Sequence, residues 1–199
     1  MSHFFAYLSR MKYIQRWSLM RNVVQENIQE HSLQVAMIAH SLAVIRNKFY
    51  GGELDADRIA VIALYHDISE VVTGDLPSPI KYFNPDIRSA YKQIESRAEG
   101  QILSLLPESL YDEYHRLILK DGKRKDFKQI ISAADKLSAY IKCLEEINAG
   151  NMEFSKAKKA IWETIVKMDL PEVDYFIKHF IPSFELTLDE LNFPRSDEE

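Results

Sequence analysis

Two histidines and two aspartates, His31, His66, Asp67 and Asp135, carry imidazole nitrogens and carboxylate oxygens, the donors from which many divalent-ion sites are built. Such ligands must stand about 2.0 to 2.2 Å from one ion, so they must come from elements packed side by side. With no thiolate in the set, manganese, cobalt, nickel and zinc suit these donors, and copper shares the preference for imidazole. An ion of this kind polarises a phosphoryl oxygen, lowers the pKa of a bound water, or does both. Glu70 and Asp75 follow His66-Asp67 closely and are candidates for moving protons. Arg16 offers a guanidinium that can hold phosphate oxygens bidentately, and Trp17 an indole wall that could exclude a hydroxyl group.

Taken singly, each residue has a plainer explanation. Asp135 could pair with its neighbour Lys136, and His31 or His66 could be a hydrogen-bonded core histidine. His40 takes that plain role, because nine residues after His31 it projects near the opposite face of the same helix. Arg16 alone would be a surface arginine and Trp17 a core residue; Glu70 and Asp75 alone would be exposed acids. The conjunction H…HD…D is what turns the set toward a metal.

The elements that must position these groups read as helices. Apolar residues recur at helical spacing between breaks marked by Gly51-Gly52, Gly74, Pro79, Pro85, Pro107, Gly122, Gly150, Pro171 and Pro182, with no strand-like alternation of any length. Asn27 with Glu30 resembles a capping box and opens a helix over residues 30–47, with His31 in its first turn. Asp55 can cap a second helix that carries His66 and Asp67 on its last turns and ends at Gly74. Helices are expected from Asp86 to about residue 106, briefly after Pro107, over 126–148, over 152–167 and over 172–180, with 182–190 irregular or a short turn. Asp135 lies inside the 126–148 run, which otherwise reads as core, and a buried carboxylate there is costly unless paired or metal-bound. Ser132, Ser138 and Ala139 on its face are small, which leaves room above the helix.

Composition bounds the rest. The 199 residues suffice for one domain, 1–199, with a tail from about residue 192 reading as frayed. With 25 Lys plus Arg against 30 Asp plus Glu, the net charge of -5 gives no general attraction to nucleic acid or anionic membranes. Interrupted by Asp121 and Asp126, the basic stretch 120–128 reads as a solvated loop. Cys143 is the single cysteine, so no intramolecular disulfide or thiolate cluster can form, and a cytosolic location is expected. No apolar run reaches the roughly 20 residues of a membrane span.

Glu30-His31-Ser32 and Tyr65-His66-Asp67-Ile68-Ser69-Glu70-Val71 together resemble the HD-domain superfamily of metal-dependent phosphohydrolases. Arg16-Trp17 and the stretch from Thr73 through Asp75, Leu76, Pro77, Ser78 and Pro79 to Tyr82 resemble its bacterial 5′-deoxynucleotidase branch, over residues 4 to about 188. The resemblance implies an all-α helical bundle, a homodimer, and hydrolysis of deoxyribonucleoside 5′-monophosphates with cobalt, manganese or a similar ion. It places the ligands on His31, His66, Asp67 and Asp135, and the catalytic groups on Glu70, Asp75 and Arg16. Substrate contacts fall on Arg16, Trp17, His31, Asp67, Asp75, Leu76, Pro77, Ser78 and Asp135, with Ser78 standing where threonine is expected. Rival readings are a nucleoside-triphosphate or guanosine-polyphosphate hydrolase, for which Arg16, Arg21 and Lys81 are thin provision, and a nucleotide-sensing module without turnover.

Overall fold

The computed structural model describes residues 1–81 and 83–191, and within them no strand forms beyond one isolated bridge between Gln15 and Asn27. The expected tail from about residue 192 lies outside the described residues. A long helix, α2 (Ile28–Phe49), follows a short α1 (Phe4–Leu8) and a 3-10 turn, Ser9–Tyr13. The Asn27 side chain accepts from the Gln29 and Glu30 amides while Glu30 reaches back to the Asn27 amide, so the capping box fixes where α2 starts. His31 thereby falls one turn inside the helix, on the face shared by Ile28, Val35 and Leu42, all fully buried.

Downstream come α3 (Ala56–Leu64), α4 (Glu70–Thr73), α5 (Ser78–Lys81), α6 (Pro85–Leu103) and α7 (Glu108–His115). After a π-helical turn, Arg116–Asp121, the chain continues into α8 (Lys125–Asn148), α9 (Ser155–Val166) and α10 (Pro171–Phe180). Helix α8 runs through the centre, packed against α2 and α9, and is buried on most sides between Ile130 and Glu146. Its polar interior residues, Asp135, Ser138, Lys142 and Glu146, stand three or four apart and so share one face.

Two details depart from the sequence expectation. Helix α3 ends at Leu64 rather than running to Gly74: the amides of Tyr65 and His66 turn back to Ile62 and Ala63 three residues earlier, so His66 and Asp67 sit in a tight turn instead of on a helix. The positive φ of Gly74, 70°, ends the short α4 instead. Asn84, not Asp86, caps α6, accepting from the Ile87 amide, and Pro85 occupies the first helical position where its missing N–H costs nothing. The stretch after Pro182 is part of a 3-10 turn, Ile181–Glu185. Among the described residues, no helix is long and apolar enough to cross a membrane.

Candidate metal centre and adjoining cleft

Helix α2, the turn after α3, and helix α8 bring His31, His66, Asp67 and Asp135 together. Nε2 of His66 lies 3.1 Å from Asp67 Oδ2, and Nε2 of His31 lies 3.6 Å from the same oxygen and 3.2 Å from Asp135 Oδ1. Donor atoms of His31, His66 and Asp67 all lie within 4.8 Å of one another. Because adjacent residues on a regular helix diverge by about 100°, the turn at 65–69 is what lets His66 and Asp67 converge.

The far nitrogen of each histidine is engaged, and the contact at His66 fixes its tautomer. His66 Nδ1 is 2.7 Å from the Ala63 carbonyl and must donate to it, which leaves Nε2 with its lone pair facing the cluster. His31 Nδ1 lies 3.1 Å from Ser138 Oγ, whose hydroxyl donates to Gln34 at 2.6 Å, and 2.7 Å from an Arg16 guanidinium nitrogen. Nε2 of both rings is buried with no hydrogen-bond partner, an expensive condition for a polar atom unless something else binds there. The donor set therefore fits a divalent ion.

Electrostatics treat the two histidines differently. Burial and the Arg16 charge lower the pKa of His31 and keep it neutral, as a ligand must be. Burial also disfavours the charged form of His66, but Asp67 outweighs it and raises the pKa. Despite burial, the histidines hold Asp67 below the ordinary carboxylate range, and His31 with Lys136 does the same for Asp135. Asp135 is a correction in part: its side chain is 25% exposed at the floor of a cleft, and Lys136 Nζ meets its Oδ2 at 2.8 Å, so the paired and the clustered readings both hold.

Glu70 is 6% exposed, and its Oε2 has no partner. Burial, with Asp67 and Asp75 nearby, pushes its carboxyl up to about 9. Burial likewise raises Asp75, opposed by Arg16. Arg16, whose side chain is 13% exposed, keeps its charge against burial because Glu26, Asp135, Asp67 and Asp75 all face it.

Arg16, Trp17, Asp75, Pro77 and Ser78 line one cleft of about 400 Å³, whose opposite wall is Ala157, Ala160 and Ile161 of α9. Leu76 is partly buried in the same stretch but is not among the residues lining the cleft. Trp17 adopts φ 58°, a left-handed backbone that costs a residue other than glycine about 1 to 3 kcal/mol and persists only where its surroundings enforce it. Enforcement is visible: the Asn22 side-chain amide donates to the Trp17 and Met20 carbonyls, and the indole packs on Phe154 with ring centroids 5.3 Å apart.

Comparison with known proteins completes the assignment. The model of the family described as 5′-deoxynucleotidase YfbR-like matches residues 3–184. The chain belongs to that family. It is 54% identical over 191 residues to a 5′-deoxynucleotidase of Vibrio cholerae, covering 96% of this chain and 98% of that protein. A 5′-deoxynucleotidase of Yersinia pestis is 51% identical over 197 residues, 99% of this chain and all, 100%, of that one. In structure, an HD-domain phosphohydrolase from Listeria innocua superposes with a TM-score of 0.80 at 24% identity, covering 92% of this chain and 88% of that one. A cyanophage S-2L HD phosphohydrolase, described with dA and one catalytic Zn2+ bound, gives 0.67 at 18% identity, covering 92% and 96%. These likenesses agree with the expected all-α HD fold.

Sequence reasoning missed several participants. Glu26, Ser138 and Gln34 hold Arg16, Trp17 and His31 through hydrogen bonds between distant positions, which no local motif marks. The α9 wall carries no motif either, since alanine and isoleucine look like any core. Lys123 and Lys128, assigned to a solvated loop, help line a second cleft of about 310 Å³ that also reaches His66, Asp67 and Asp135. The polar spacing along α8 was the available signal: Ser138, Lys142 and Glu146 fall in step with Asp135.

Proposed function

We propose that this chain is a metal-dependent 5′-deoxynucleotidase that hydrolyses deoxyribonucleoside 5′-monophosphates to deoxynucleoside and phosphate, with His31, His66, Asp67 and Asp135 holding one divalent ion. One observation carries the site assignment: two buried, unpartnered imidazole nitrogens converge with two carboxylates beside a buried arginine and an open cleft. A bound ion supplies Lewis-acid polarisation and acidifies water, and cobalt or manganese is the proposed choice. Arg16 grips phosphate oxygens, and its burial strengthens that charge-assisted contact. Trp17, Asp75, Pro77 and Ser78 enclose the sugar, with the indole crowding a 2′-hydroxyl. Glu70 and Asp75, both pushed toward their protonated forms, serve the proton transfers to and from the attacking water and the departing 5′ oxygen.

The longer-phosphate rivals gain little from this arrangement. Arg21 is engaged by Glu153 at 2.8 Å and Lys81 by Glu95 at 2.7 Å, so neither extends the Arg16 grip. The sensor reading leaves the buried Glu70 beside the cluster without a purpose. A homodimer in the cytosol completes the proposal, supported by exposed Leu33, Met37, Val61 and Leu64 on neighbouring faces of α2 and α3 and by a single, buried, free cysteine.

The test is phosphate release from matched deoxy- and ribonucleoside 5′-monophosphates, and from a triphosphate, after chelation and after adding back manganese, cobalt or zinc. Turnover restored by an ion, on deoxymonophosphates first, is expected. Pyrophosphate or tripolyphosphate release without monophosphate turnover would sink the reading.

A further inference from the structure

Glu26 stands in a loop between Arg16-Trp17 and the cap of α2, and its side chain is 13% exposed. A single carboxylate oxygen, Oε2, accepts from an Arg16 guanidinium nitrogen at 2.8 Å and from the Trp17 indole N–H at 3.1 Å. The other oxygen, Oε1, lies 3.9 Å from His31 Nδ1. The backbone takes part as well: the Arg16 amide donates to the Glu26 carbonyl at 2.9 Å, and Gln15 bridges Asn27 beside it. Among the described residues, Glu26 is thus the one acidic group hydrogen-bonded to both neighbours on the cleft wall, and those neighbours would face different parts of a nucleotide.

We infer that Glu26 is a positioning residue that ties phosphate binding to sugar selection: its Oε2 sets the Arg16 fork and the Trp17 ring as one unit, so that discrimination against a 2′-hydroxyl depends on it. The physical reason is rotational freedom. An indole excludes a hydroxyl only if its ring cannot swing away, and Trp17 sits on a left-handed backbone that does not by itself fix the side chain. The bond to Glu26 fixes the ring plane at the indole nitrogen, while Phe154 supports one side. Removing the carboxylate frees both side chains together. A mere structural tether would instead lower activity on both sugars alike.

This inference rests on the nucleotidase reading, so the experiment separates the two. In a Trp162→Phe background, which leaves Trp17 as the reporting indole, Glu26→Ala and Glu26→Gln are compared with their parent by kinetics on dAMP and AMP and by acrylamide quenching of fluorescence. In Glu26→Ala the ratio of kcat/KM for deoxy over ribo substrate should fall by about tenfold or more, and Trp17 should become more quenchable. Glu26→Gln keeps the shape and one oxygen acceptor, so it should fold even if the alanine variant does not, and its ratio should fall by about threefold. Equal losses on both sugars, or unchanged quenching of Trp17, would overturn the inference. If the parent hydrolyses neither substrate with any ion, the nucleotidase reading fails, and the quenching comparison still decides whether Glu26 holds Trp17.

Discussion

The metal-type cluster and the loop over residues 14–28 lie side by side and solve opposite problems. In the cluster, two imidazole nitrogens and a glutamate oxygen are buried without partners, and carboxylates crowd one another. In the loop, buried charge is saturated. Glu146, 1% exposed, accepts from the Val23 amide at 2.8 Å, the Val24 amide at 3.1 Å and the Asn151 side chain at 2.7 Å, and it pairs with Lys142, which also donates to the Val24 carbonyl. The contrast teaches what each is for: groups left wanting bind something, and groups fully satisfied hold something in place. Both hang on the same face of α8, with Asp135 at the cluster, Ser138 behind His31, and Lys142 and Glu146 at the loop.

The comparison breaks most visibly at the cluster. His66→Ala or Asp67→Ala should reduce phosphate release to background and lower the metal retained after gel filtration, measured by elemental analysis. Metal added to the parent at a hundredfold its Kd should stabilise it by about 2.7 kcal/mol, a gain these variants lose.

Next in size is Glu70→Gln, expected to cost about 10²- to 10⁴-fold in kcat while keeping the metal. Its stability effect has the opposite sign. The unfolded chain ionises Glu70 above its ordinary value near 4.5, whereas the folded metal-free protein keeps the proton up to about 9, so the parent's penalty is absent at low pH and grows as pH rises between those values. Glu70→Gln should therefore melt higher than the parent, by more at pH 8 than at pH 5. A lower melting temperature at pH 8 would mean that the carboxyl is not carrying that burden.

At the loop the sign reverses. Burial works to raise Glu146, but Lys142, the two backbone amides and Asn151 hold it at about 2, below its ordinary 4.5. Its contribution is present above the unfolded value and is lost as pH falls through the folded one. Urea unfolding between pH 6 and pH 2 should show this slope, and Glu146→Gln should flatten it. The smallest effect belongs to the cap. Asn27→Ala should cost about 1 kcal/mol in the same assay, with a modest loss of activity as the first turn carrying His31 frays.

How much was legible before the fold was known follows the range of the interactions. The capping box at Asn27 and Glu30 depends on residues three apart, and it starts α2 at Ile28, directly after the cap and two residues before the expected start at residue 30. The helix carrying His66 and Asp67 was misjudged because the apolar pattern continues through Ile68 and Val71, while the chain turns at Tyr65 to satisfy carbonyls locally. The resemblance places Leu76 among the substrate contacts, and in the fold its neighbours Asp75, Pro77 and Ser78 line the cleft.

By itself, then, the sequence determined the helical class and named candidates for metal, phosphate and sugar contact, because these are properties of side-chain chemistry and short-range periodicity. Tertiary structure alone decided that Asp135 meets His31 with one oxygen and Lys136 with the other, that α9 supplies the far wall of the cleft, and that Glu26 and Glu146 hold the loop. The physical reason is that hydrogen bonds and burial depend on where chains return after many residues. Composition and periodicity contain no record of that distance.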